Sequence, residues 1–466
     1  MRASIRHPFL VLGLLCLAAV FPACLAYAQT KPPTATTAAP PVTPINWRLF
    51  RRPAPQDAEY QAGRRILLNN AHHNLQWITE TYKRDAARKM YLVTQTDEQG
   101  TRRPASAVYG LAVLLKTNNY DAASVGGVSP SEAVTRTVEL IKGIAANHVA
   151  NQTDSTKPHW GNQWQSALWA ALLGHAGWLL WDDLDSDTQA MIARLVEHEA
   201  NRFIAPGYKV PYWANPDGHI NTPGDTKAEE NAWNACLLQL ALAMMPHHPH
   251  FDRWREVANE LMISSFALQK DVQTNTTRVE GRTVKDWLHG YNVRDDGAVI
   301  NHNRLHPDYM STPTMSLRTY LVQPLAGQKP YKTSLLNADF IYRVFVTTAW
   351  PSPPNKAPGG TIYQTGQAEV YYPTGTDWSP HRLDIFYIYD VFAQTLKLDT
   401  DLPKGKHGQD WAKLRAERML AMQARFPDGR MFAPGEYESY PGREQMVGWQ
   451  IGDVLLLRWL QAQKAF

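Results

Sequence analysis

Residues 164–181 read W-Q-S-A-L-W-A-A-L-L-G-H-A-G-W-L-L-W, apolar nearly all the way round a helix, with Ala167, Ala170, Gly174 and Gly177 forming one stripe of small side chains. A helix without a wet face must be packed on several sides. The following segment, 187–204, differs. Ile192, Leu195, Val196 and Phe203 line one side, and Arg194, Glu197 and Arg202 the other. That helix keeps one face in water.

Outward from this pair the same two textures recur. Apolar residues at helical spacing predict helices over 57–82, 104–118, 130–149, 161–182, 187–204, 227–245, 250–270, 314–325, 331–349, 380–396, 409–424 and 443–463. Start signals reinforce them. Ser129-Pro130-Ser131-Glu132 joins an N-cap, a first-turn proline and a capping-box acid. Ser186 with Gln189 and Thr226 with Glu229 read as further boxes, and Thr312-Pro313 and Ser379-Pro380 as cap-plus-proline starts. Twelve helices, some buried and some amphipathic, suit an all-α (α/α)6 toroid, complete or incomplete, without a large β domain. An α-solenoid would show a repeat of about 34 to 47 residues, and none is visible. Long loops at 205–225, 271–312, 350–379 and 425–442 are then the natural place for a cleft.

The amino terminus indicates location. Arg2 and Arg6 precede an apolar run from Phe9 to Val20, and Ala26-Tyr27-Ala28 offers a cleavage site, so residues 1–28 read as a signal peptide and the protein as periplasmic or secreted. Cys24 as a lipidation site is the weaker reading, because Phe21 is a poor opening residue for that signal. Residues 29–45, rich in Pro and Thr, read as a tether, and 46–466 as a single toroid domain. Lys and Arg total 47 against 43 acids. Without Arg2 and Arg6 the formal charge falls from +4 to 45 − 43 = +2. So small a surplus argues against a nucleic-acid partner. After position 28 no apolar run is long enough to span a bilayer. Cys236 alone survives processing, inside an apolar helix, and reads as a buried structural thiol.

The loop from Arg294 reads R-D-D-G-A-V-I-N-H-N-R-L-H-P-D-Y-M, with His302 six residues after Asp296 and seven before Tyr309. It resembles the signature of polysaccharide lyase family 8, the hyaluronate and chondroitin AC lyases, which carry D-G-S-x-x-x-H followed by a tyrosine. Asp296-Gly297 and His302 fall in register, Ala298 replaces the serine, and Tyr309 stands two residues earlier than the family's tyrosine. The resemblance covers fewer than twenty residues, and the family's C-terminal β domains have no counterpart. It implies β-elimination on a uronic-acid glycan without an obligatory cofactor or metal. It also implies an asparagine that neutralises the substrate carboxylate, for which Asn231 is the candidate, with Asn234 and Asn221 as alternatives.

Uronide elimination removes a weakly acidic proton beside a carboxylate. The enzyme must therefore suppress that charge, take the C5 proton and protonate the departing oxygen. Asn231 and His302 are the neutral donors, Tyr309 is base and acid in turn, and His302 is base for the other epimer. Arg304, Arg318 and Arg382 are candidates to hold the phenol ionised. Trp213, Trp233 and Trp378 offer faces for sugar rings, and Asn215, Asp217, His219 and Glu230 line the same expected cleft.

Blander assignments compete. Glu229 reads as a capping-box acid, residues 182–187 as a helix-to-helix turn rather than a calcium loop, and His247, His248 and His250 as a solvated loop. Pro358-Gly359-Gly360 reads as a turn rather than a phosphate loop. The sequence thus favours an exported, monomeric lyase acting on an acidic polysaccharide. An inverting glycoside hydrolase is the alternative, using Glu230 with Asp296 or Asp225 with Asp377. A glycan-binding protein without turnover is a third possibility. Terpene-cyclase chemistry lacks its D-x-D-D motif.

Overall fold

The computed structural model describes residues 39–154, 156–436 and 440–466. The expected signal peptide and the first part of the tether, residues 1–38, lie outside them. Ala39–Phe466 forms one compact unit. The protein is 53% helical, with only short two-stranded sheets and no large β domain among the described residues. No helix among them is long and apolar enough to cross a membrane.

The longer helices are α1 (Ala58–Thr81), α2 (Glu98–Lys116), α3 (Pro130–Ala146), α4 (Ser166–Leu179), α5 (Ser186–Arg202), α6 (Ala228–Met244) and α7 (Phe251–Ser265). Five short helices follow: α8 (Gln269–Thr274), α9 (Val284–Trp287), α10 (Pro307–Met310), α11 (Pro313–Ser316) and α12 (Thr319–Val322). Then come α13 (Ala338–Thr347), α14 (Leu383–Thr395), α15 (Gly408–Gln423) and α16 (Arg443–Ala462). Every residue of α4 is buried, as its all-round apolar pattern requires. A Cβ on Gly174 would stand 2.7 Å from Val196 and 2.8 Å from Leu240, so the small stripe is what lets α5 and α6 approach. In the same way Gly110 of α2 sits against the backbone of Gly448 in α16.

α2 packs on α4 and α16, α4 on α6, α6 on α11, α11 on α14, and α14 on α16. A second set is laid against these: α1 on α16, α3 on α2, α5 on α4, α7 on α6, and α13 and α15 on α14. The first set is the more deeply buried.

Several expectations change. The helix expected over 314–325 is broken into α11, α12 and a 3-10 turn. The Ser316 carbonyl accepts from the Gln239 amide at 2.8 Å, and the Met315 carbonyl from Arg318 N at 3.2 Å and the Cys236 thiol at 3.4 Å, Cys236 and Gln239 being side chains of α6. Burial pushes the Cys236 thiol up to about 12, so it is inert, as read. The α5 cap is Asp185, which accepts from Thr188 N, rather than Ser186. Ser379-Pro380 precedes α14 by a turn instead of starting it. The Thr226–Glu229 box does not form, because α6 begins after Lys227 and Thr226 Oγ1 donates to Asn292 O. Residues 39–45 of the expected tether dock onto the helices. Thr43 N donates to Met244 O, the Trp178 indole donates to Thr43 O, and Ile45 is buried.

Candidate functional site

Ile300–Asn301 pairs with Arg304–Leu305 across a two-residue turn. His302 and Asn303 occupy that turn at φ of 49° and 57°, the left-handed conformation that two-residue hairpins demand and that Asn and His tolerate better than most. Next to it, Gly224 must be glycine, since a Cβ there would overlap the Asn303 amide. Asn303 N donates to Gly224 O and Thr226 N to Ile300 O, tying the hairpin to the start of α6. Immediately after the hairpin, Pro307 opens α10 and turns Tyr309 back toward His302. From the far side, the 373–379 loop leans on the hairpin through Thr374 Oγ1 to Leu305 O and brings Asp377 with it.

A chain of contacts results. His302 Nδ1 lies 2.8 Å from Asp377 Oδ2, and His302 Nε2 lies 3.3 Å from the Tyr309 hydroxyl. His306 Nε2 lies 3.3 Å from the other Asp377 oxygen, and its Nδ1 is 3.3 Å from buried Asp308. Arg304 stands 3.6 Å from Asp377 and donates to His302 O at 3.1 Å. Trp378 stacks on Tyr309 with centroids 5.2 Å apart, and the Arg382 guanidinium lies 4.2 Å over the Trp378 ring. The His302 and Asp377 side chains are 38% and 36% exposed, whereas His306 is sealed. The centre is therefore open on one side and supported on the other.

Electrostatics divide the roles. Burial raises the Tyr309 phenol well above its ordinary value, and Glu229, Asp225, Asp308 and Asp377 raise it further. The leading influences on it are thus burial and acids, not the Arg304, Arg318 or Arg382 charge expected to hold it ionised. Burial also pulls the Asp377 carboxyl up, but its own backbone N–H, His302 and His306 outweigh this and leave it below the usual range. Glu229, freed from capping, is pushed up to about 7. Burial is the main cause, with Glu230 and Asp225 adding to it against Arg102 and Arg382.

The other expected residues divide. Arg304, Trp378 and Arg382 share the centre, and Glu230 lies in the same turn of α6 as Glu229, paired with Lys227 at 3.5 Å. Asn231 is fully buried and directed elsewhere, its amide donating to Pro211 O and Ser264 Oγ, both at 2.9 Å. With both hydrogens engaged, it has none for a substrate. Asn234 sits one turn on, nearly buried. Trp233 is core, edge-on at 4.7 Å to Trp164, whose indole is 60% exposed. Trp213 is buried against Tyr291. Asn215, His219 and Asn221 hold a neighbouring loop together, with Asn215 N donating to His219 O and the Asn221 amide to Asn215 Oδ1. Arg318 is buried far along the chain of helices, paired with Asp453. Asp296 caps the turn before the hairpin, accepting from Ala298 N and pairing with Arg294, so the D-G of the motif shapes backbone.

Outside the site, residues 182–187 form the expected helix-to-helix turn, whereas the histidine loop is packed rather than solvated at His248, whose side chain is 7% exposed. Asp183 and Asp185 pair with Lys116 and Lys142, and His248 stacks on Trp254 while contacting Glu197. A cavity of about 500 Å³ beside Arg255, Arg282 and Trp287 has both arginines paired, Arg282 with Glu256 and Arg255 with Asp252.

Sequence reasoning passed over His306 and Asp308 and read Glu229 as a cap. The spacing of His302 and His306 was the available signal, two imidazoles flanking a two-residue strand. No protein-family model matches the chain, nor does any curated protein. What the arrangement can do is exchange protons: a carboxylate orients an imidazole whose other nitrogen faces a phenol.

Proposed function

We propose that the chain is an exported lyase that cleaves a uronic-acid-containing polysaccharide by β-elimination, on an (α/α)6 toroid resembling polysaccharide lyase family 8. The observation that carries this reading is the Asp377–His302–Tyr309 series of contacts at 2.8 and 3.3 Å. Support for the toroid comes from the order of helix neighbours, which runs α2, α4, α6, α11, α14, α16 and back to α2, five of the six with a companion helix laid against them.

The acidic surroundings of Tyr309 favour a division of labour. His302, oriented by Asp377, takes the C5 proton. Its electrons form the C4–C5 double bond as the C4–O4 bond breaks, and the protonated phenol donates to O4. Tyr309 is thus the acid and His302 the base, rather than tyrosine serving as both. With Asn231 engaged in the core, Arg382 and Arg304 are the cationic groups nearest the centre for the substrate carboxylate.

Glu229 supports a second reading. A carboxyl raised to about 7 and a second, Asp377, held below its usual range, both acting on Tyr309, are the unlike carboxyls an inverting hydrolase uses. One assay separates the two. The purified chain is incubated with a panel of uronic polysaccharides while ultraviolet absorbance and reducing ends are followed together. A lyase gives an absorbing unsaturated end with each cut; reducing ends without absorbance mean hydrolysis. Binding with neither leaves a glycan-binding protein.

A further inference from the structure

His302, His306 and Asp377 place one donor atom each within 4.8 Å of one another. Two of the separations, 2.8 and 3.3 Å, approach the edge of a coordination polyhedron. Tetrahedral ligands at about 2.0 to 2.2 Å from an ion stand roughly 3.3 to 3.5 Å apart. At Asp377 the hairpin must therefore open by only a few tenths of an ångström, while the remaining donor separations, at most 4.8 Å, close to the same edge. Behind the donors stand partners of the kind that hold metal-bound imidazoles. Asp308 lies 3.3 Å behind His306 on its Nδ1 side, not yet aligned as a hydrogen bond, and the Tyr309 hydroxyl lies 3.3 Å from His302 Nε2. Each ring thus keeps its other nitrogen turned to Asp377.

We infer that His302 Nδ1, His306 Nε2 and the Asp377 carboxylate form a site for one divalent transition-metal cation. Two imidazoles and a carboxylate suit zinc and its neighbours better than calcium or magnesium. Three protein ligands, two of them over a third exposed, leave a position open to solvent, a substrate carboxylate or a hydroxyl. Arg304, 3.6 Å from Asp377, competes with the cation. Occupation has a further consequence, which rests on the proposed role of His302 as base. An imidazole bound through Nδ1 carries its proton on Nε2 and accepts none, so the cation inhibits turnover. The cation site itself is independent of that role.

The test titrates Zn²⁺ into the purified chain, free of any affinity tag and stripped by a chelator, with binding read by calorimetry and metal content by mass spectrometry. One equivalent binds saturably. His306→Ala and Asp377→Asn each weaken binding by more than about tenfold, and Asp308→Asn weakens it by about 10- to 100-fold. Arg304→Ala tightens it. Thermal melting of each variant shows whether it folds. Absence of saturable binding to the parent chain overturns the site, as does binding indifferent to His306→Ala and Asp377→Asn in folded variants. Zn²⁺ that halts uronide cleavage, with recovery on chelation, upholds the inhibitory role, whereas stimulation by Zn²⁺ overturns it and His302 as base. A chain that binds Zn²⁺ as described yet cleaves no uronide sinks the lyase proposal and upholds the cation site.

Discussion

Two clusters in this protein use nearly the same residue types to opposite ends. In the helical core, Asp453 of α16 pairs with Arg318 and accepts from the Tyr109 hydroxyl at 2.6 Å and the Trp449 indole at 3.0 Å, while Arg318 also approaches His175. All of these groups are buried, and Asp453 has donors on both oxygens. At the hairpin, Asp377 likewise meets two histidines and an arginine beside a tyrosine and a tryptophan, but on an open face. In the first cluster the Asp453–Arg318 pair is closed by its partners. The second has spare coordination and solvent access, which a reacting centre needs. Composition alone does not separate them; burial and saturation do.

The largest effect expected from this contrast lies in the core. Asp453→Ala strands the Arg318 guanidinium among apolar helices and should cost about 3 to 5 kcal/mol, read as a fall in the urea midpoint. Replacing both partners, Arg318→Met with Asp453→Leu, should recover most of that loss, because the stranded charge goes too. If Asp453→Ala melts like the parent, the core cluster is not the sealed pair described here.

Tyr309→Phe should show the converse. Uronide turnover should drop by about 10²- to 10⁴-fold, while stability moves by no more than about 1 kcal/mol, since the ring keeps its stack on Trp378. His302→Ala should fall in the same range. Wild-type rates in both variants would leave the hairpin a structural feature.

Most of the helical frame was legible because its period and caps are local. Eleven of the twelve expected helices have clear counterparts, and α4 reads directly from its lack of a polar face. Where prediction failed, a distant partner decided. The helix expected over 314–325 is broken where Cys236 and Gln239 of α6 bond the Met315 and Ser316 carbonyls. Glu229 left its box because Thr226 bonded to Asn292, 66 residues away. The site was half legible. His302, Tyr309, Trp378, Arg304 and Arg382 come together, but Asn231 sits one helical face away from where its type suggested, and a single residue of rotation on a helix is invisible without its neighbours. Asp377 entered only as an alternative, because nothing local ties it to a hairpin some 70 positions earlier.

A smaller effect tests whether Glu229 belongs to the open region. Its folded value of about 7 exceeds the ordinary 4.5, so the folded state holds a proton that the unfolded chain releases sooner. The wild type should therefore lose more stability than Glu229→Gln as pH rises from 4.5 through 7. Between pH 5 and 8 the variant should gain on the parent by at most about 3 kcal/mol, less where solvent screens the carboxyl. Urea melts at both pH values measure this. A pH-independent difference would mean that the carboxyl titrates normally and is no candidate acid.

The smallest expected effect belongs to the exposed member of one aromatic pair that is split between the two regions. Trp164 and Trp233 touch edge to face, yet Trp233 is buried one turn past Glu229 and Glu230, and Trp164 stands mostly in solvent. Trp233→Ala removes core volume and should cost about 3 to 5 kcal/mol of stability. Trp164→Ala should leave the melt nearly unchanged while weakening binding of an oligosaccharide substrate by something on the order of 1 kcal/mol, or roughly fivefold. The exposed indole offers a face for a sugar ring, and its contact with Trp233 sets it against α6, one turn past Glu229 and Glu230. Unchanged oligosaccharide affinity in Trp164→Ala would detach that exposed ring from the site.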